Sequence, residues 1–162
     1  MRNERQTLEL GPATLMCTTL RGAQSDAEVN ESLREYQQLL EEARARGHKL
    51  VDILDIRKAA TPSPTQRRLQ TDWNREHEQL LRDTLLGFTF VVSSAVMRGV
   101  ITAVFWIKPL PVPHAVHTEL EEAVHWSLDR CRDAGIAISG VIRDDAHRRL
   151  VIQASGARTA RG

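Results

Sequence analysis

The sequence predicts an α/β domain: a mixed, mostly parallel sheet covered by helices, in the order β-β-α-β-α-β-α-β-α. Three observations carry this. Apolar, β-branched runs of strand length alternate with amphipathic stretches of helix length. Hydroxyl-capped helix starts recur, at Ser25-Asp26-Ala27-Glu28, Ser63-Pro64-Thr65-Gln66 and Thr118-Glu119-Leu120-Glu121. Gly47, Gly87 and Gly135 each follow the last periodic residue of such a stretch.

Residues 6–10 and 13–20 read as two short strands split by the turn residues Gly11-Pro12. The first helix has its stripe at Val29, Leu33, Tyr36, Leu40 and Ala43, alternating spacings of four and three. Residues 50–56 form the next strand and leave it through Asp55-Ile56-Arg57. A second helix spans 64 to about 85, with Leu69, Trp73, His77, Leu80 and Leu81 on one side and Gly87 as its stop. Residues 88–92 form a strand ending at Ser93-Ser94. The run from 95 to 108 has strand propensity, but Ser94 can cap a helix there, and the element order favours the helix. Lys108 to Pro113 is rigid and extended because three prolines fix it. Residues 114–117 supply one more short strand. The last helix buries Leu120, Val124, Leu128 and Cys131 and ends at Gly135. This gives one domain over residues 1–135. Residues 136–162 are an extension, read as a small hairpin around Asp144-Asp145 followed by a solvated tail.

Composition excludes several classes. With 22 basic and 21 acidic side chains the formal charge is +1, so no global field draws in nucleic acid. Nineteen of the basic residues are arginine, most alternating with Glu and Asp on helices. Two isolated cysteines fit a reducing cytoplasm better than a disulfide framework. Met1 to Arg5 is polar and leads into no signal-like run, and no stretch approaches the roughly 18 apolar residues of a membrane span. A cytoplasmic location is the expectation.

Leu50-Val-Asp-Ile-Leu-Asp55, Phe88-Thr-Phe-Val-Val-Ser93 and the ending His117-Thr-Glu-Leu-Glu-Glu-Ala-Val-His-Trp126, in this order of elements, resemble the SpoIIAA-like branch of the STAS fold, also labelled STAS/SEC14-like. The resemblance covers roughly residues 6 to 134. It implies a mixed sheet with helices mainly on one face, and a regulatory role: STAS domains dock on partner proteins, several under control of a phosphorylated Ser or Thr at the start of the second helix. The matching loop here holds Thr61, Ser63 and Thr65, without the Asp-Ser/Thr-Ser-Gly signature.

The residues themselves offer two candidate sites. If 95–108 is helical, Phe105 and Trp106 point about 100° apart, so one stripe cannot bury both. With Leu110 and Val112 they form an apolar surplus suited to a protein partner, a second copy of the chain included, or to a ligand pocket. The second candidate is a polar edge for anion binding or phosphoregulation: Arg57, Lys58, Ser63, Thr65, Arg67, Ser94 and Arg98, near two strand exits and two helix starts. The runner-up function, a carrier of a lipid or amphiphilic anion, would place Arg57 and Arg98 on the headgroup. His114, His117 and His125 do not have metal-ligand spacing, and no cofactor is implied. Cys17 and Cys131 read as core hydrophobes, and Asp52 and Asp55 as caps or partners of arginine. No nucleophile elbow or tuned carboxylate pair is present, which argues against an enzyme.

Overall fold

Alternation along the strands decides which side of the sheet each residue serves, and both sides need cover. The structure, a computed structural model, describes residues 3–152, so the expected tail over 155–162 lies outside the described residues. Its elements are β1 (Glu4–Glu9), β2 (Ala13–Gly22), α1 (Asp26–Ala45), β3 (Lys49–Ala59), α2 (Pro64–Glu76), α3 (Glu78–Thr84), β4 (Leu85–Val91), α4 (Ala95–Ile107), β5 (His114–His117), α5 (Leu120–Asp133) and α6 (Gly140–Ala146), which runs on as a π-helical segment, His147–Ile152. The strands lie in the order β1-β2-β3-β4-β5. β1 pairs antiparallel with β2, and every other pair is parallel.

That order fixes where the helices go. Three successive crossovers step across the sheet in one direction. Because such connections are right-handed, α1, the α2–α3 pair and α4 all fall on one face. Their core joins Met16, Leu40, Ala43, Leu50, Leu80, Leu81, Leu85 and Val112. The chain then turns past β5, and α5 and α6 cross the opposite face. There Leu15, Cys17, Val51, Ile53 and Val91 meet Leu120, Val124, Leu128 and Cys131. Helices therefore cover both faces rather than mainly one. β2 and β3 lie in the middle of this sandwich, and β2 is buried at every position from Ala13 to Thr18.

The sequence reading holds for the order of the strands and for the helix at 95–107, and needs correction elsewhere. The second helix is not continuous. It breaks at His77, whose φ of −105° and ψ of 20° leave the helical region, so α2 and α3 pack as separate pieces. Thr118 does not cap α5; Glu119 is the cap residue and makes no side-chain capping bond. Residues 136–152 form no hairpin: Ser139 caps α6 through the Ile142 N–H, and Ile136, Ala146 and Leu150 are buried in the core beneath α5. A hairpin would have put those three apolar side chains in water.

Gly87 is not a helix stop either. It lies inside β4, on the face under α5, where a Cβ would sit 2.8 Å from Trp126 Cη2 and 3.0 Å from Arg130 Cγ. The indole fills the space that any side chain would need. Gly87→Ala is expected to cost about 1–3 kcal/mol through overpacking. Urea titration should show a lowered midpoint, partly restored in Gly87→Ala/Trp126→Leu. An unchanged midpoint in the single variant would contradict this packing.

Candidate functional site

α4 has 13 residues, and only Arg98 and Thr102 among them carry polar side chains. The Ser94 hydroxyl starts it by accepting the Met97 N–H at 3.1 Å. Ile101 and Phe105, one turn apart, are half-buried and form its inward stripe. Phe105 holds the C-terminal end to the sheet, its ring 5.3 Å from Phe90 and 4.8 Å from His114 between centroids. Other large side chains point outward: Val96 is 78% exposed, Ile107 80% and Trp106 87%. Among the described residues seven large hydrophobic side chains are exposed, and five of them, Val96, Met97, Val104, Trp106 and Ile107, belong to α4.

The four residues expected to make the apolar contact therefore divide. Trp106 is exposed. Phe105 turns in, as the 100° between neighbours requires when one of the two packs. Leu110 is half-buried and Val112 is buried in the core under α1 and α3. The Pro109–Pro113 strap bends at Pro111 and Val112 rather than running extended, and Leu110 and Val112 both turn toward Phe88 and Phe90 on the sheet.

On the polar edge, most of the expected groups are engaged locally. Adjacent parallel strands bring the exits of β3 and β4 together, since Asp55 lies opposite Val91. Arg57, however, donates to both Asp55 carboxylate oxygens, at 2.9 and 2.8 Å, in a largely buried pair. This pairing raises the Arg57 pKa. Ser63 and Gln66 form a reciprocal capping box at the start of α2, and Gln66 also donates to the Gln24 carbonyl at 2.7 Å. Arg67 donates to the Pro62 carbonyl at 2.9 Å. Lys58, Thr65 and Arg98 are exposed. The edge is thus a set of local pairs rather than a converged anion cradle.

The histidines occupy three different surroundings. The His114 ring packs on Phe105, with Nδ1 3.0 Å from the Val112 carbonyl. His117 faces the other side of the sheet, 3.5 Å from Glu122 and near the Trp126 ring, and burial lowers its pKa. His125 is exposed. Both cysteines are buried. Desolvation pushes the Cys17 thiol up to about 12, helped by Asp55 and Asp52, and the Cys131 thiol up to about 11. Neither provides a thiolate at neutral pH.

Sequence reasoning missed a buried polar group. Asp52 is only 4% exposed, in the middle of β3. It faces the α1 side with Leu50, opposite Met16 on β2 and Phe88 on β4. The Tyr36 hydroxyl is hydrogen-bonded to the Asp52 carboxylate there, and the Trp73 indole Nε1 is buried beside them without a hydrogen-bond partner. Tyr36 and Trp73 pack ring to ring at 5.7 Å. Beside them is an apolar cavity of about 70 Å³ lined by Tyr36, Leu85, Phe88, Phe90, Leu110 and Val112 among others. Burial pushes the Asp52 pKa up to about 6, against the opposing influence of Tyr36 and Arg5. The clue in the sequence is an acid in register with Leu50 and Leu54, an apolar stripe.

The sequence matches no protein-family model and no curated protein. The structure is similar to the crystal structure of an uncharacterized protein of the DUF3478 family from Shewanella loihica PV-4, described as having a SpoIIAA-like fold. The match has a TM-score of 0.56 at 12% identity and covers 76% of this chain and 92% of that one. The fold is SpoIIAA-like. Among the described residues no helix of this SpoIIAA-like domain is long and apolar enough to cross a membrane.

Asp52 gives this domain a testable pH signature. The folded chain holds its proton to about pH 6, whereas an unperturbed carboxyl releases it near 3.8. Between those values the native state binds more protons than the unfolded one, so stability falls as pH rises and stays lower above pH 6. The shift corresponds to about 3 kcal/mol. Urea titrations from pH 4 to 7 should show wild type losing stability relative to Asp52→Asn by roughly this amount. Parallel curves for the two proteins would refute the assignment.

Proposed function

We propose that this chain is a non-enzymatic regulatory module that recognises a partner protein through α4. The observation that carries the reading is the concentration of exposed apolar side chains on that one helix: Val96, Met97, Val104, Trp106 and Ile107. Isolated apolar side chains are ordinary on protein surfaces, but a contiguous apolar helix marks a contact surface. A helix presenting Trp106 at one end suits a groove with an apolar pocket, where a buried tryptophan contributes most. A second copy of the chain is one such partner.

The polar edge would then tune the contact. Ser63 is committed to the capping box, so phosphorylating it would remove the cap that starts α2. Exposed Thr65, in the first turn of the same helix, is the better acceptor, with Arg67 and Lys58 nearby in the chain. Arg98, on α4 itself, would link this edge to the apolar surface.

A second reading, binding of an amphiphile, is favoured by the cavity beneath the Leu110–Val112 strap. The anionic headgroup first expected for it loses support, because Arg57 is held by Asp55 and the buried charge beside the cavity is a carboxylate.

Trp106→Asp/Ile107→Asp tests the main reading. Both side chains are exposed, so circular dichroism and melting temperature should be unchanged. Sedimentation and pull-down from the native host should lose the assembly that wild type forms. Retention of both self-association and partner capture in the folded variant would overturn the proposal.

A further inference from the structure

Gly99 is the one residue of α4 that the single subunit leaves unexplained. A glycine inside a helix weakens it relative to alanine, because the chain gives up more freedom to become helical. No turn requires it here, since its φ is not positive. No neighbour requires it either: a Cβ at Gly99 would meet no heavy atom of another part of the chain within 4 Å. At Gly87 the indole of Trp126 fills the corresponding space. At Gly99 that space opens outward, where a second backbone can approach α4 more closely than over any side chain.

Helical spacing of three and four puts Gly99 on one face with Val96, Ala103, Trp106 and Ile107, all of them exposed. The half-buried Ile101 and Phe105 hold the other side of the helix to the sheet. The face carries no charge. Arg98, the one charged residue of α4, lies roughly 140° round the helix from Ala103. Two copies can therefore meet there without opposing like charges. With Met97 and Val104 on the flanks, the exposed apolar residues amount to roughly 600 Å² per copy, taking about 150–250 Å² for a large one. Two such faces together bury about 1,200 Å², the lower end of a specific, stable interface.

The face is complementary to itself in one direction. Reversed about Ile101, Val96 falls opposite Trp106 and Gly99 opposite Ala103. Each indole then meets a smaller side chain, and the axes come closest where both sides are small. Side by side in the parallel direction, Trp106 would face Trp106 and hold the axes apart at Gly99. The antiparallel arrangement also sets the start of each helix beside the end of the other, which their dipoles favour.

We infer that two copies of this chain associate through α4 packed antiparallel, crossing at Gly99 and Ala103, with Trp106 of each over Val96 of the other. This rests on the reading of α4 as the recognition surface and names its partner as a second copy.

Gly99→Leu tests the contact, because its side chain enters open space in one subunit and collides with Ala103 of the second copy. Circular dichroism should be unchanged. Sedimentation should show a dimer for wild type at micromolar concentration and a dissociation constant raised at least about tenfold for the variant, the scale of an overpacked contact. Cross-linking reads the register. Gly99→Cys and Ala103→Cys proteins should form a disulfide dimer when mixed, and neither should do so alone, the two native thiols being buried. Like positions are offset by about 6 Å along the axes, which with the helix separation exceeds the reach of a disulfide. A monomeric wild type, an unchanged dissociation constant in Gly99→Leu, or cross-linking in the single-variant samples would overturn the inference. In each case the broader reading stands if Trp106→Asp/Ile107→Asp still abolishes capture of a different protein, and falls as well if that variant keeps it.

Discussion

The shortness of β5 is the constraint on which the rest of this molecule turns. Four residues extend about 13 Å, whereas the 13 residues of α4 extend about 20 Å. A crossover helix that rests mainly on β5 therefore overhangs that strand. Burial of a large apolar side chain contributes about 1.5–3 kcal/mol, and α4 forgoes most of that for Val96, Trp106 and Ile107. Phe105 is the main attachment, through Phe90 and His114. The opposite face is covered more fully, because α5 lies across four strands and α6 with its π-helical continuation adds Ala146 and Leu150, although Val141 and Ile152 stay exposed.

This asymmetry links fold to function. One face of the sheet is covered by α5 and α6 and acts as scaffold. On the other, α1 and α3 seal one half, and the half under α4 is left with an apolar exterior, a small cavity and a buried carboxyl. The exterior and the cavity share a single element, since the strap that roofs the cavity continues directly from Ile107. Whatever binds outside α4 and whatever lies beneath it would act on the same few side chains.

Much of this was legible in the chain. The Ser25 and Ser63 capping boxes and the apolar stripe of α1 depend on neighbours three or four residues apart, and local spacing reveals them. Helical geometry alone required that Phe105 and Trp106 could not share one stripe, and the packing of Phe105 on Phe90 and His114 decides that Trp106 is the one exposed. What local spacing could not reveal was set by distant partners. Gly87 sits in a strand because Trp126, 39 positions away, occupies its side-chain space. Val112 is buried because α1 and α3 close over the strap. The break at His77 has no capping residue to announce it. Residues 136–152 did carry a readable signal, Ile142, Ala146 and Leu150 at intervals of four, but α6 is too short for it to stand out. Asp52 was misread because an acid in a strand usually marks an edge, and β3 is central.

The two shielded thiols make the chain its own unfolding gauge. Cys17 in β2 and Cys131 in α5 meet in one core on the α5 face, and neither is accessible while that face stays closed. An alkylating reagent can then reach them only when helix and sheet separate, so the labelling rate counts those openings. Movements confined to α4 and its strap, on the far side of the sheet, would pass unrecorded. The molecule thereby separates, without any added probe, the loosening of its working surface from the opening of its frame.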